Sequence, residues 1–143
     1  MTAALLDVNV LIALAWPHHV HHEMARSWFM DRSREGWATT PVTELGFVRV
    51  SSNKKIIPEA TTPRAALSVL RSLCDLRGHA FWPDDRRLLD PALSTERLGA
   101  YRQVTDIHLA LIAVRHSATL ATFDRGIVEV LDPADRSAIE LLS

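Results

Sequence analysis

Ala3-Ala4-Leu5-Leu6-Asp7-Val8-Asn9-Val10-Leu11-Ile12-Ala13-Leu14-Ala15 is the stretch that decides the fold. Its first four residues form an apolar run too short for a helix. The run reads as a buried strand that ends on an acid, Asp7. Val8 to Ala15 is apolar almost all round, as a buried helix is, and Trp16-Pro17 breaks it. A buried strand feeding straight into a buried helix begins a βαβ crossover.

The alternation continues downstream. His22 to Ser33 carries Met24, Trp28 and Phe29 at helical spacing. Gly36 punctuates, and Trp37 to Thr39 reads as a second strand. Thr40-Pro41 is an N-cap with proline at the first helical position, predicting a helix through Val50. Thr62-Pro63 repeats the signal for a helix to Leu76, ended by Gly78. His79 to Trp82 is a third short strand, closed by Pro83. Asp84 to Gln103 is polar and divides between helix and loop. Thr105 reads as the cap of a helix from Asp106 to His116, whose body, Leu109 to Val114, is nearly all apolar. Ala118 to Phe123 is a fourth strand ending at Asp124, and Ala138 to Leu142 a fifth. The expected fold is α/β, three layers with a central, mainly parallel sheet of four to five strands covered on both faces.

A chain of 143 residues suits one domain with one core. Hydrophobic residues at 48% and charged residues at 23% exclude disorder as the dominant state. The net charge of -1 excludes a nucleic-acid binder held by bulk positive charge, so a polyanionic partner requires a local patch or bound cations. Cys74 has no partner for an intrachain disulfide, which fits a reducing cytoplasm. The start lacks a basic n-region and carries Asp7 inside its apolar run, unlike a signal peptide. No apolar stretch approaches the roughly 20 residues that span a bilayer.

Four acids fall at informative places. Asp7 and Asp124 end apolar strands, and ligands of open parallel sheets bind beyond the strands' carboxyl ends. Asp106 lies in the first turn of a buried helix and Glu44 about one turn into another. Each has a plainer reading. Asp106 complements a helix dipole, Asp124 is a turn acid before Gly126, and Glu44 is a helix-start acid, although a capping box from Thr40 would use position 43, which is Thr43. An acid ending a wholly apolar strand, as Asp7 does, is expected to be buried or to face a site. Converged carboxylates raise one another's pKa unless cations compensate. A set of hard oxygens without Cys or His suits Mg²⁺, with Mn²⁺ as a substitute, rather than zinc. Such a centre suits phosphodiester hydrolysis.

With these residues the sequence resembles the PIN-domain family, and within it the VapC toxins of toxin–antitoxin pairs. The resemblance rests on Leu5-Leu6-Asp7-Val8-Asn9-Val10-Leu11-Ile12, Thr43-Glu44-Leu45-Gly46-Phe47-Val48-Arg49, Thr105-Asp106-Ile107-His108-Leu109-Ala110, and Leu120-Ala121-Thr122-Phe123-Asp124-Arg125-Gly126. It covers nearly the whole chain and implies a single PIN domain over residues 1–143. It also implies that Asp7, Glu44, Asp106 and Asp124 are the catalytic, metal-holding acids, with Asn9 and Thr122 orienting them. Mg²⁺-dependent endonucleolytic cleavage of RNA, a homodimer and inhibition by a VapB-type antitoxin follow from the same likeness. The implied antitoxin tail lies across the acidic cleft with a basic side chain near the carboxylates. The apolar face of the His22 to Ser33 helix, with Trp28 and Phe29, and the helix after Glu44 are its expected walls.

Other residues carry weaker signals. His18-His19-Val20-His21-His22 lacks the helical His pair of a zinc helix and reads as a surface loop, with His22 bordering the cleft. Arg49, Lys54 and Lys55 belong to a solvated face or contact phosphate. Arg125 serves the turn or phosphate. Trp16, Trp28, Trp37 and Trp82 read as core or dimer interface. An aspartyl phosphotransferase usually has a second acid where Asn9 stands, and a receiver domain wants a late lysine where Asp124 stands. A housekeeping RNA-processing PIN nuclease and a non-catalytic RNA- or partner-binding module remain as alternatives.

Overall fold

The computed structural model describes residues 2–90 and 92–143; Met1 and Pro91 lie outside it, Pro91 falling within the 84–103 segment. Five strands, β1 (Ala4–Leu6), β2 (Trp37–Thr39), β3 (His79–Phe81), β4 (Thr119–Thr122) and β5 (Ile139–Leu141), form one sheet in the order β3-β2-β1-β4-β5. Every pair is parallel, so the sheet is wholly rather than mainly so. The helices are α1 (Val8–Ala15), α2 (His22–Arg32), α3 (Pro41–Ser51), α4 (Pro63–Cys74), α5 (Val104–Arg115) and α6 (Gly126–Val130). Helix α6 lies where the sequence reads only a turn. Among the described residues no helix is long and apolar enough to cross a membrane.

The unbroken apolar strand sequences follow from the layering. Ala4, Leu6, Trp37 and Ala121 face one layer, where they meet Leu11 of α1, Phe47 of α3 and Leu70 of α4. Leu5, Ala38 and Leu120 face the other, against Ile107, Leu111 and Ile112 of α5. Both faces are dry, so neither shows the polar half of a two-residue alternation. At the centre of the first layer Gly46 lets α3 approach α1. A Cβ there would stand 2.5 Å from Val8 Cγ2.

Three boundaries differ from expectation, each for a local reason. Thr105 does not cap α5, because a 3-10 turn over Tyr101–Gln103 runs directly into the helix, which therefore starts at Val104. Helix α4 ends at Cys74 rather than near Leu76, and Gly78 instead takes φ +91° to turn the chain into β3. The 84–103 segment contains no α-helix in its described residues. It is laid along α5 by Asp84 on His108 (2.7 Å) and Asp85 on Arg115 (2.8 Å), with Leu93 and Leu98 packed into the α5 layer.

Trp37 is buried in the core. Trp28 and Phe29 pack against the same layer, and the Trp28 Nε1–H donates to Glu140. Glu140 of β5 also accepts two branches of the buried Arg32 guanidinium, Nε at 2.9 Å and Nη2 at 2.8 Å. This bidentate tie between α2 and the sheet edge was not expected from the sequence. It raises the proton affinity of Arg32. Burial alone would raise Glu140 as well, but the Arg32 and Trp28 hydrogen bonds outweigh it and leave the carboxyl below its usual range.

Candidate active site

Asp7 follows β1, Asp124 lies two residues beyond β4, and Asp106 is the third residue of α5. Parallel strands put these ends on one edge of the sheet, and the three aspartates line one cleft of about 430 Å³. Asp7 is the N-cap of α1: its Oδ1 accepts from the Val8 N–H at 2.7 Å. Its Oδ2 accepts from Thr122 Oγ1, also at 2.7 Å. The buried Thr122 hydroxyl is then used fully, accepting from Asn9 Nδ2 at 3.2 Å and the Asp124 N–H at 3.1 Å. Asn9 Oδ1 in turn accepts from the Phe123 N–H at 3.3 Å. Asp124 Oδ1 is held by the Gly126 N–H at 2.8 Å.

The electrostatics follow from that crowding. Burial, reinforced by the charges of Asp7 and Asp124, pushes Asp106 up to about 8. Burial also raises Asp7, with Asp124 adding to it, and outweighs the hydrogen bonds from Thr122 and Val8. Two carboxyls that resist ionisation beside a third form a donor set short of positive charge. Their oxygens, unaccompanied by sulfur or imidazole in the trio, fit a hard divalent cation such as Mg²⁺ or Mn²⁺. Asp7, Asp106 and Asp124 are the residues that could hold it.

Glu44 is not among the residues that line their cleft. Its Oε2 accepts from Thr39 Oγ1 at 2.7 Å, and its carboxylate lies with Cys74 and His79 between α3, α4 and β3. The Thr40 N–H donates to Thr43 Oγ1 at 3.1 Å, so Thr43 rather than Glu44 serves the start of α3.

Arg49, Lys54, Lys55 and Arg125 are exposed, and none of them lines the aspartate cleft. Arg102 does line it, together with His19, Ile56 and Ile57. The signal for Arg102 was a cation four residues before Asp106, inside a segment whose conformation the sequence left open. Within the histidine run it is His19, not His22, that borders the cleft. The His22 ring nitrogen Nδ1 meets the Ala13 carbonyl at 2.8 Å, and His21 stacks on Phe123 with centroids 4.8 Å apart. A neighbouring cleft of about 520 Å³ shares Ile12, His19, Ile56 and Ile57 with the first and adds Trp16 and Pro58. Trp28 and Phe29 line neither cleft, because α2 turns them into the core.

Residues 4–132 match the PIN domain family. The chain is 47% identical over 140 residues to Ribonuclease VapC39 of Mycobacterium tuberculosis, covering 97% of this chain and 99% of the relative. It is 45% identical over 140 residues to Ribonuclease VapC38 of the same organism, covering 98% of each. Among solved structures, VapBC2 from Rickettsia felis, bound to a DNA fragment from its promoter, contains a chain with the same fold. Its TM-score is 0.63 at 15% identity, covering 99% of this chain and 100% of that one. On the sequence match and the shared architecture, the chain belongs to the PIN-domain family, among its VapC members.

Proposed function

We propose that this protein is a Mg²⁺-dependent endoribonuclease, the toxin of a VapBC toxin–antitoxin pair, acting in the cytoplasm, with Mn²⁺ able to substitute. The observation that carries the reading is the trio Asp7, Asp106 and Asp124 in one cleft, with Asp106 held up to about 8 by burial and by the charges of the other two. The ribonuclease names of its close relatives support the substrate class. A bound divalent cation would supply an activated water near neutral pH and offset charge on the phosphodiester. Asp7 is oriented for the cation by the Val8 N–H and Thr122, and Asn9 fixes Thr122. Arg102, in the wall of the cleft, offers a guanidinium to the RNA backbone. Arg49, Lys54 and Arg125 lie outside the cleft, where they can meet flanking phosphates. Attack of water on phosphorus with departure of the 3′ oxygen leaves a 5′-phosphate and a 3′-hydroxyl.

The same cleft suits a VapB-type antitoxin. A guanidinium can bridge two carboxylates, and so take the place of the cation. The neighbouring cleft with Trp16, Ile57 and Pro58 would receive apolar residues of the antitoxin tail, with Val50 and Ser51 of α3 contributing to the walls. Exposed Leu45 on α3 and Leu67 on α4 offer apolar surface to a second copy in a homodimer.

The test is cleavage of total cellular RNA by the pure protein with Mg²⁺, Mn²⁺ or chelator. Asp7→Asn, Asp106→Asn and Asp124→Asn should each abolish cleavage while the protein stays folded, and mapped ends should carry 5′-phosphate. Glu44 counts as a fourth catalytic acid only if Glu44→Gln does the same. Products ending in 2′,3′-cyclic phosphate would refute the mechanism.

A further inference from the structure

His19 stands where two clefts join. It lines the aspartate cleft and also the neighbouring, mostly apolar one that holds Trp16, Ile57 and Pro58. We propose that the apolar cleft is a nucleobase pocket, and that His19 is the specificity-determining residue that reads the base beside the scissile phosphate. The assignment rests on the ribonuclease reading and concerns what sets the position of cleavage.

The space suits a flat, largely apolar ring. It measures about 520 Å³ and shares Ile12, His19, Ile56 and Ile57 with the cleft that holds the aspartates, so a phosphodiester at the acids brings an adjoining base to this common wall. The His19 ring is also set for recognition. The His21 N–H donates to His19 Nδ1 at 3.0 Å. A backbone N–H only donates, so Nδ1 is the unprotonated nitrogen and the neutral ring carries its proton on Nε2. Among the described residues only Nδ1 of this ring is hydrogen-bonded, which leaves the Nε2–H for a ligand. Burial, reinforced by His21 and His22, holds His19 below the usual imidazole range, so the ring is uncharged near neutral pH. An uncharged donor suits an acceptor on a base edge, while a phosphate has the permanently charged Arg102 in the same cleft.

His19 is tied to the strand end that carries the chemistry. Its ring centroid lies 5.7 Å from that of His21, and His21 stacks on Phe123 at 4.8 Å. The Phe123 N–H donates to Asn9 Oδ1 at 3.3 Å, and Asn9 Nδ2 donates to the Thr122 hydroxyl at 3.2 Å. That hydroxyl is the one that donates to Asp7. A base bonded to His19 is therefore registered against the carboxylates through packed rings and hydrogen bonds, rather than held on an independent loop. An antitoxin side chain seated in the apolar cleft would exclude the base, so inhibitor and substrate would compete for one pocket.

The experiment uses the full chain. Fragment ends from total cellular RNA cut in Mg²⁺ are mapped for wild type, His19→Ala, His19→Gln and Lys54→Ala, the last lying outside both clefts. Wild type should show a base preference at one position beside the cut. His19→Ala should weaken that preference by roughly tenfold, the loss expected for one hydrogen-bonded base contact, and should raise KM for a preferred oligonucleotide more than it lowers kcat. His19→Gln keeps an uncharged N–H and should recover part of the preference, and Lys54→Ala should leave it intact. A second readout needs no cleavage. Single-base pentaribonucleotides titrated into wild type in chelator should shift the His19 ring resonances and quench tryptophan emission, one base binding tightest, and His19→Ala should level the series. Circular dichroism checks that each variant is folded. A folded His19→Ala that keeps the wild-type preference, or that lowers cleavage equally at every site, would overturn the proposal, as would equal binding of all four pentamers to wild type. Ordered, His19-dependent binding without any cleavage would instead count against the ribonuclease reading.

Discussion

Replacing Asp106 by Asn should stabilise the metal-free protein, and it should do so only at high pH. The folded structure raises Asp106 from 3.8 to about 8. At about 1.36 kcal/mol per pH unit, that rise sets an upper limit of about 6 kcal/mol on how far folding disfavours the charged carboxylate. An amide is desolvated too, so the gain on substitution is smaller, about 2 kcal/mol, equivalent to roughly 4–8 °C in Tm for a chain of this size. Because the folded pKa is raised, the stabilising contribution of the protonated carboxyl is fully present below the unfolded value near 4. It is lost as pH rises through about 8. Wild type in chelator should therefore lose stability from pH 5 to pH 8, while Asp106→Asn should lose less. Denaturant titrations of both proteins at pH 5 and pH 8 measure this directly. Equal effects of the substitution at the two pH values, or a destabilisation confined to pH 8, would refute the electrostatic account of the cleft.

Other outcomes follow from the same contacts. Mg²⁺ must displace the Asp106 proton, so its affinity by calorimetry should rise by up to about tenfold per pH unit below pH 8 and flatten above it. Thr122→Val removes the hydroxyl that serves Asp7, Asn9 and Asp124; it should cost about 1–3 kcal/mol and lower kcat more than it raises KM. Glu140→Gln leaves the Arg32 charge buried with a weaker partner. It should cost about 2–3 kcal/mol at neutral pH, somewhat less than a fully buried pair because Glu140 is partly exposed. Since the Glu140 pKa is lowered, that difference should be present above about 4.5 and disappear as pH falls through the lowered value. Gly46→Ala should cost about 1–3 kcal/mol in thermal melts, because the new Cβ collides with Val8.

The parts of the fold that the sequence discloses are those governed by short-range physics. Apolar runs three or four residues long, each followed by a helix-start signal, place β1, β2 and β4 within a residue or two. Pro41 and Pro63 mark the first residues of α3 and α4. Asp7, Asp106 and Asp124 are legible because strand ends and helix starts share an edge in any parallel sheet. The position of Glu44 is not legible in this way. Its place on α3 is evident, but its carboxylate is held by the Thr39 hydroxyl of β2 and lies near Cys74 and His79, on two further elements. The Arg32–Glu140 tie spans 108 residues, and neither partner has a local pattern that announces it. Arg102 was hidden for a different reason: the 84–103 segment is shaped by pairs such as Asp84–His108, which form only once α5 is in place.

The cleft also shows why this fold would need an ion. Asp7 caps α1 and Asp106 occupies the first turn of α5, so two helix N-termini point their partial positive charge at the same place. Each supplies about half a unit charge at most. The Thr122, Val8 and Gly126 donors add hydrogen bonds to the carboxylates. Against three carboxylates this is too little, and the raised Asp7 and Asp106 record the shortfall. The shortfall can be met by protons, which would occupy Asp106 below about pH 8, or by a divalent cation, which would release them. Much of the core that tolerates this imbalance, from Trp37 and Phe47 on one face to Ile107 and Leu111 on the other, stands back from the cleft, while Ile12 belongs to both. The occupant of the cleft would then be set by pH and cation concentration.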